Sequence, residues 1–578
     1  MRSGWAVCFF AWLWSLMAPA ESVLRRETGR ISGFDPALAM DVPSVLAISK
    51  IYEGLLQYAY LERPYRVEPC LAQALPEVSA DGTLYTFRLR PGIYFQDDPC
   101  FGATGGRGRE LTAEDFVYSI KRVADIKTGS SGYWAFRGWI RGLDAFREAS
   151  AGPGPTDYGR PVEGLSAPDR HTFRIHLTRP YPALAWILAM SYAYAVPREA
   201  VEGYGPEFAS HPVGTGPFLL KTYVPNYRLE FARNPKWGRT GRLDPFPAVG
   251  KRDVVGNGAD AGSPLPLLDR IEEFVIGDSS TQWLLFLSGK LDLSPVSRDN
   301  WDAVVTPEGR LSAPLAARGL VLEGAPALDT LYIGFNAEDP VVGRNRALRQ
   351  AMMAAFDRER WSGFQNGRVV PAAGPIPPGI AGRDPAPTPF AFDLARARAL
   401  MREAGYPEGL DPITGRRLEL TLELGAGNSE MRETVEVLAS FMEPLGIVIR
   451  PSFNNFPTLL RKLERRRAQL FLVSWVADYP EAGNFLQLFY GPNASPGVNR
   501  TNYRNPDFDR LYERAQATPP GPGLLELYAR LEAIVKTDCP WLCLHHSMTF
   551  TVRQPWVRNY RLHDFPYGMT KYLRVDPR

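Results

Sequence analysis

The chain has 578 residues, is 45% hydrophobic, and sets 66 Lys+Arg against 63 Asp+Glu for a net charge of +3. That length exceeds the roughly 250–300 residues at which one hydrophobic core splits, so two or three domains are expected. The balanced charge gives no electrostatic footprint for nucleic acid, and beyond the N-terminus no stretch holds the roughly 20 apolar residues of a membrane span.

The first twenty residues read as a secretory signal peptide: Arg2 as the positive n-region, Trp5 to Met17 as a short apolar run, and Ala18-Pro19-Ala20 as a small-x-small cleavage site. Cleavage near Ala20 leaves Glu21 as the first mature residue. Cys8 lies within the apolar run and is a poor lipid-attachment cysteine, so a free periplasmic protein is expected. Leu71 to Arg90 reads as a hairpin turning at Ala80 to Thr83, where Asp81-Gly82 tolerates positive φ. Leu84, Thr86 and Arg88 then alternate with Tyr85, Phe87 and Leu89, the period of a half-buried strand. Thr112 followed three residues later by Asp115 opens a helix in near capping-box form, with Phe116, Val117, Ile120 and Val123 on one face.

Three stretches rich in Gly, Pro or Arg, at 97–110, 149–161 and 240–266, read as mobile surface excursions. A helix is expected over about 344–361, with Leu348, Met352, Ala355 and Phe356 inward. Leu418, Leu420, Leu422 and Leu424 form one face of a strand, and Leu470 to Trp475 is a short apolar run suited to a buried strand. Of the mature cysteines, Cys70 and Cys100 could pair in an oxidising compartment. Cys539 and Cys543 lie too far apart to bridge if they share a strand, which rises roughly 3.3 Å per residue.

Catalytic signatures do not emerge. The six histidines show no metal spacing, and no nucleophile elbow occurs. Gly214 and Gly216 make half a dinucleotide fingerprint and read as a tight structural turn. Gly105 to Gly108 lacks the flanks of a phosphate loop. No carboxylate pair is singled out as glycosidase-like. No enzyme activity, cofactor or metal is expected; a secreted hydrolase is the competing reading.

Several motifs in order resemble the family 5 extracellular solute-binding proteins, the peptide- and nickel-type group serving ABC importers. They are Phe34 to Ala37 and Ile51 to Leu56; Val67 to Ala72 with Phe87 to Arg90 and Leu111 to Asp115; Pro212 to Pro217 with Arg233 to Pro235; Ile333 to Asn336 with Leu348 to Ala351 and Phe356 to Arg358; and Trp475 to Pro480 with Asn502-Tyr503 and Asn505-Pro506. The set spans nearly all of the mature chain.

The resemblance implies an α/β, two-lobed periplasmic-binding-protein fold of mixed sheets flanked by helices, with an extra subdomain. Lobe I would hold 21–329, including a subdomain at about 60–200; lobe II would hold 330–547; and 548–578 would return to lobe I. A ligand would lie between lobes that close on it. Asp478 matches the aspartate that meets a peptide amine in the family's oligopeptide binders. Trp475 matches a pocket-lining tryptophan, and Tyr52, Glu53 and Gly54 an early cleft segment; Asn336 and Tyr479 are further candidates. Arg349, Asp357 and Arg358 read as scaffold. The implied partners are a peptide or other small organic ligand and ABC permease subunits with cytoplasmic ATPases, the binder itself being a monomer. A nickel or haem chelate is the alternative cargo, disfavoured because no histidine lies in the cleft motifs. A sensing role is a further alternative to import.

Overall fold

The computed structural model describes residues 21–39, 41–237 and 260–577. The signal peptide expected over 1–20 and the 240–259 part of the third excursion lie outside the described residues.

The first lobe is built on a four-stranded sheet in the order Val23–Thr28, Arg270–Val275, Arg228–Arg233, Phe218–Val224, its first pair parallel and the rest antiparallel. Helix Val42–Ile51 joins this sheet, its N-terminus capped by the Asp41 carboxylate accepting from the Ser44 amide at 2.8 Å. Near its C-terminal end, Lys50 meets Glu273 of the sheet at 3.0 Å, both side chains almost fully buried. A second, antiparallel sheet orders Glu77–Val78, Leu84–Arg88, Thr172–His176 and Leu165–Asp169. The hairpin turns where expected, with Gly82 at φ +69°. Helix Ala113–Ala124 packs on this sheet and starts at the expected cap: the Asp115 carboxylate accepts from the Thr112 amide at 2.8 Å.

The second lobe is built on a large mixed sheet. Its central strand, Asp329–Phe335, runs antiparallel to both Leu470–Val476 and Trp541–Arg553, and Glu419–Leu424 pairs parallel with Leu470–Val476 and Val448–Phe453. The Leu418 to Leu424 alternation holds: all four leucines are buried, against helices that include Arg346–Ala355 and Ser429–Met442. The opposite face packs Tyr332, Trp541 and Cys543 under helix Pro522–Asp538. Gly334 sits opposite Phe471, and a Cβ there would lie 2.2 Å from that ring, so only glycine admits the phenyl group.

Two strands connect the lobes. Trp541–Arg553 pairs through its first half with Asp329–Phe335 and Val369–Pro371, and through its second half with Val321–Pro326 and Leu293–Pro295. The passage between Pro326 and Asp329 runs beside it, fastened by the Ala327 amide to the Ser547 carbonyl at 2.7 Å and the Ser547 amide to the Asp329 carboxylate at 2.7 Å.

Three expectations are corrected. The helix over 344–361 is two helices, Arg346–Ala355 and Arg358–Phe364, because Asp357 turns its carboxylate onto the Glu359 and Arg360 amides and caps the second. The segment 97–110 is tied down: Phe101 is buried against Phe95, and Arg109 forks onto Asp115 and Glu199. The segment 149–161 is held by Lys121, which donates to the Tyr158 and Arg160 carbonyls. Among the described residues no disulfide joins Cys70, Cys100, Cys539 or Cys543. Arg349 does act as scaffold, donating to the Val342, Gly343, Asp538 and Cys539 carbonyls.

Candidate ligand-binding site

The Leu470–Val476 strand changes character along its length. Leu470, Phe471 and Leu472 are core, whereas Ser474 and Val476 are exposed and Trp475 is half-buried. The apolar run therefore anchors the strand, and its far end emerges at the lobe boundary carrying Trp475 and, just beyond, Asp478.

One amide organises this end. Asn484 is fully buried. It accepts from the Trp475 indole Nε1–H at 3.0 Å and the Asp478 amide at 3.1 Å, and its Nδ2 donates to Asp478 Oδ2 at 2.9 Å. Trp475 and Asp478 are thus held relative to each other. The second Asp478 oxygen has no protein donor, and no basic side chain pairs with it, among the described residues. Burial pushes this carboxyl above the usual aspartate range, and the Asn484 bond only partly opposes that. Glu481, three residues on, has only the Tyr528 hydroxyl, and burial pushes it up to about 7.

The wall near Asp478 comes from the first lobe. Tyr58 is buried, stacks on Trp186 and Phe565 with centroids 5.9 and 5.1 Å away, and has a hydroxyl with no partner among the described residues. The Asp478 charge bears on Tyr58, Tyr181 and Tyr567. Tyr479 is buried and hydrogen-bonds Tyr181 across the boundary. Tyr181 stacks on Trp139 at 3.9 Å. Trp139 in turn lines a cavity of about 300 Å³ between the lobes, with Arg179 on one side and Tyr490 and Tyr512 on the other. Two carboxylates without counter-charges and a tyrosine-rich surface are arranged to hold a cationic group with apolar neighbours.

The remaining predicted residues fall elsewhere. Tyr52 is buried, its hydroxyl accepting from the Val213 amide at 3.1 Å. Glu53 is also buried, accepting from Thr215 Oγ1 at 3.1 Å and the Trp237 indole at 3.2 Å. The expectation of ligand contacts through these two side chains is therefore corrected: their polar atoms are committed inside the first lobe. Gly54 is closed in, since a Cβ there would lie 3.0 Å from both the Leu188 carbonyl oxygen and the Tyr194 ring. Gly214 and Gly216 hold this segment in place, since a Cβ on either would fall 2.1 or 2.6 Å from the Ile51 carbonyl group.

Asn336 is separated from the others by strand length. Asp329 pairs with Val476 and Phe335 with Leu470, so Asn336 lies at the opposite end of the strand, roughly 20 Å from Trp475. Its amide is committed to the Ala468 carbonyl at 2.9 Å and to Asn502 at 3.2 Å, a structural role. Two histidines outside the cleft motifs do approach this region: His546 lies on the connecting strand against Thr330, and His563 packs on Tyr65 with centroids 4.7 Å apart. Sequence reasoning does not single out Asn484, Glu481, Tyr58, Tyr181 or Tyr567. Only Asn484 and Glu481 carry a local signal, as polar residues inside an otherwise apolar stretch just after Asp478.

Two α/β lobes joined by paired connecting strands, with an unpaired acid on one facing an aromatic wall on the other, define a two-lobed solute-binding protein. The chain belongs to the bacterial extracellular solute-binding proteins, family 5, whose "Middle" region matches residues 66–497. It is 25% identical over 559 residues to Di/tripeptide-binding protein 2 of Pseudomonas aeruginosa strain UCBPP-PA14, covering 94% of this chain and 92% of that one. It is 24% identical over 553 residues to Heme-binding protein A of Haemophilus influenzae, covering 94% and 90%. Among solved structures, the unliganded open form of the periplasmic murein tripeptide binding protein MppA shares the fold, with a TM-score of 0.75, 22% identity and coverage of 96% and 97%.

Proposed function

We propose that this protein captures short peptides between its lobes, with the peptide's α-ammonium at Asp478, and delivers them to an ABC importer. The observation that carries the reading is the Asp478 carboxylate: held by Asn484, half-buried, without a basic partner among the described residues, and facing Tyr58 and Tyr567 of the other lobe. Burying a carboxylate without a counter-charge is costly, and a ligand ammonium would relieve that cost. Trp475 and Tyr479 flank the ligand. Relatives whose names record di- and tripeptide or murein peptide binding support the peptide class.

On this reading, lobe I comprises 21–329 with its subdomain at about 60–200, lobe II comprises 330–547, and 548–578 returns to lobe I. The hinge lies where the chain passes at 326–329 and 545–548. Ligand contacts to both lobes favour the closed state, since a ligand touching one lobe alone shifts nothing. The protein acts as a periplasmic monomer, exported by a cleaved signal peptide, with permease and ATPase partners and no catalytic step.

Native mass spectrometry of the protein purified from the periplasm, followed by calorimetry with di- to tetrapeptides, tests the proposal. Co-purifying peptides and stoichiometric, reversible binding are expected. Turnover of labelled peptides would replace the binder with a hydrolase, and haem as the co-purifying ligand would replace the cargo.

A further inference from the structure

The second-lobe sheet has two ends, and the ligand site occupies only one. Leu470 pairs with Phe335 on one side and Leu422 on the other, and Gly334 pairs with Trp541, so Arg467, Arg417, Asn336 and Pro540 mark the opposite end, roughly 20 Å from Trp475. This end is fringed with arginine. Arg416 and Arg417 close the turn that leads into Glu419–Leu424, Arg417 being bridged to Leu410. Arg465 and Arg467 lead into Leu470–Val476, and Gln469 Oε1, accepting from the Thr421 amide at 2.8 Å, holds the two segments side by side. Arg344 lies in the loop after Asp329–Phe335. That loop meets the one carrying Arg504, the Ala337 amide donating to the Thr501 carbonyl at 2.7 Å.

All of these arginines are exposed, and among the described residues none forms an ion pair or a side-chain hydrogen bond. Nearby carboxylates are already engaged by other groups. Glu338 takes Arg466 at 2.7 Å, Glu419 takes Arg450 at 2.7 Å, and Asp538 takes Arg346 at 3.3 Å and the Tyr503 hydroxyl at 2.5 Å. The whole chain carries only +3, so the surplus is local rather than a general basicity. Like charges gathered on one surface repel, and an anionic partner relieves that cost.

Two further features specify the partner. Between the loops lies a cavity of about 520 Å³, lined by Glu338, Arg346, Arg349, Tyr503, Arg504 and Asp538. Arg504 reaches it from the surface, and a pocketed guanidinium suits a phosphate group, which it can bind through two parallel hydrogen bonds. Ile413, at the tip of the turn between Leu410 and Arg417, is 92% exposed. The Asp411 carboxylate accepts from the Ile413 and Thr414 amides at 2.9 and 2.8 Å, so the turn itself is firmly held. An apolar tip beside arginines has the make-up of a membrane-interface contact. The arginines extend from Glu419–Leu424 to the start of Trp541–Arg553, three strand spacings or roughly 15 Å, the breadth of a surface rather than of one acidic side chain.

We infer that this end of the second lobe docks on an anionic phospholipid surface, its arginines on the phosphates and Ile413 among the headgroups. The inference goes beyond the peptide reading and does not depend on it: the docked end is the far end of the sheet from Asp478, so the cleft stays open to ligand. Held this way, the protein reaches a membrane partner by diffusing along the bilayer.

The test is cosedimentation of the full-length mature protein with phosphatidylcholine vesicles, with and without phosphatidylglycerol. Wild type is expected to sediment only with the phosphatidylglycerol vesicles, and to be released as salt rises through about 0.15 M, where the screening length falls to about 8 Å. Replacing Arg416, Arg417, Arg465 and Arg467 together by glutamine is expected to weaken sedimentation more than about 100-fold, at roughly fivefold for each arginine near an anionic leaflet. Ile413→Ser is expected to weaken it roughly 3- to 10-fold. Replacing Arg137, Arg160, Arg174 and Arg310, four exposed arginines of the first lobe, by glutamine is expected to change nothing. Thermal melts matching wild type separate these effects from a damaged fold. Failure of wild type to sediment with phosphatidylglycerol vesicles, equal sedimentation with both lipids, or an equal loss from the first-lobe replacements would overturn the inference. Sedimentation with inner-membrane vesicles but not with pure lipid, abolished by treating those vesicles with protease, would give the surface to a protein partner and overturn it as well.

Discussion

Replacing Asp478 by asparagine tests the acidic site with little disturbance to the fold. The oxygen that accepts from Asn484 at 2.9 Å can be kept as the new amide's carbonyl, while the other oxygen becomes an NH2 group. The backbone amide bond to Asn484 is untouched. What is lost is the negative charge facing the ligand. At contact distance and an effective dielectric of about 20, an ammonium and a carboxylate attract by roughly 5 kcal/mol. Desolvation of both groups offsets much of this, leaving a net loss of about 2–3 kcal/mol, or roughly 30- to 150-fold in Kd. The assay is calorimetry of wild type and Asp478→Asn with one peptide in free-amine and N-acetylated forms. The free amine is expected to lose the whole factor and the acetylated peptide almost nothing. Equal losses would show that Asp478 supports the site without meeting the amine. Acidification of wild type gives an independent check: because burial raises the Asp478 pKa, affinity for the free amine is expected to fall at a higher pH than an ordinary aspartate would produce.

Asn484→Ala removes the partners of the Trp475 indole and the Asp478 carboxylate together, so a loss of about 2–4 kcal/mol in urea unfolding is expected, accompanied by weaker peptide binding. Gly214→Ala places a Cβ against the Ile51 backbone, with an expected cost of about 3 kcal/mol or more. Gly102→Ala, with nothing within 4 Å, is expected to stay within about 0.5 kcal/mol by the same measurement. Glu481 keeps its proton in the folded state up to about pH 7, whereas the unfolded chain releases it near the ordinary glutamate value. Its contribution is therefore favourable at low pH and is lost as pH rises toward and through 7. Glu481→Gln is expected to raise the melting temperature of the ligand-free protein at pH 8 by about 2–4 °C and to leave it unchanged at pH 4.5. An equal rise at both values would mean the carboxyl is not desolvated.

Much of this protein is legible in short-range pattern. The Leu418 to Leu424 alternation, the Thr112–Asp115 cap and the Asp81-Gly82 turn each depend on a few adjacent residues, and each forms as the pattern dictates. Asp478 and Trp475 are also legible, because both sit at one strand end whose apolar run marks it as anchored. Local pattern fails where a second partner is needed. The helix over 344–361 keeps one apolar face throughout, and only the capping geometry of Asp357 divides it. The 97–110 segment has the composition of a mobile loop, yet Phe101 is buried and Arg109 reaches a carboxylate far along the chain at Glu199. Tyr52 and Glu53 lie in a motif that suggests a cleft, but which way their side chains turn is decided by Val213, Thr215 and Trp237, all more than 150 residues away.

Local order and residue type are enough to reach the family, the two-lobed α/β class and the acid proposed to face the ligand. Which charges are left unpaired is a property of the folded chain alone. Asp478 is buried with one carboxylate oxygen held by Asn484 and no basic side chain paired with it among the described residues, and that setting comes from the fold. Pairing is set by contacts between residues distant in sequence, and for that reason no reading of spacing or composition reaches it.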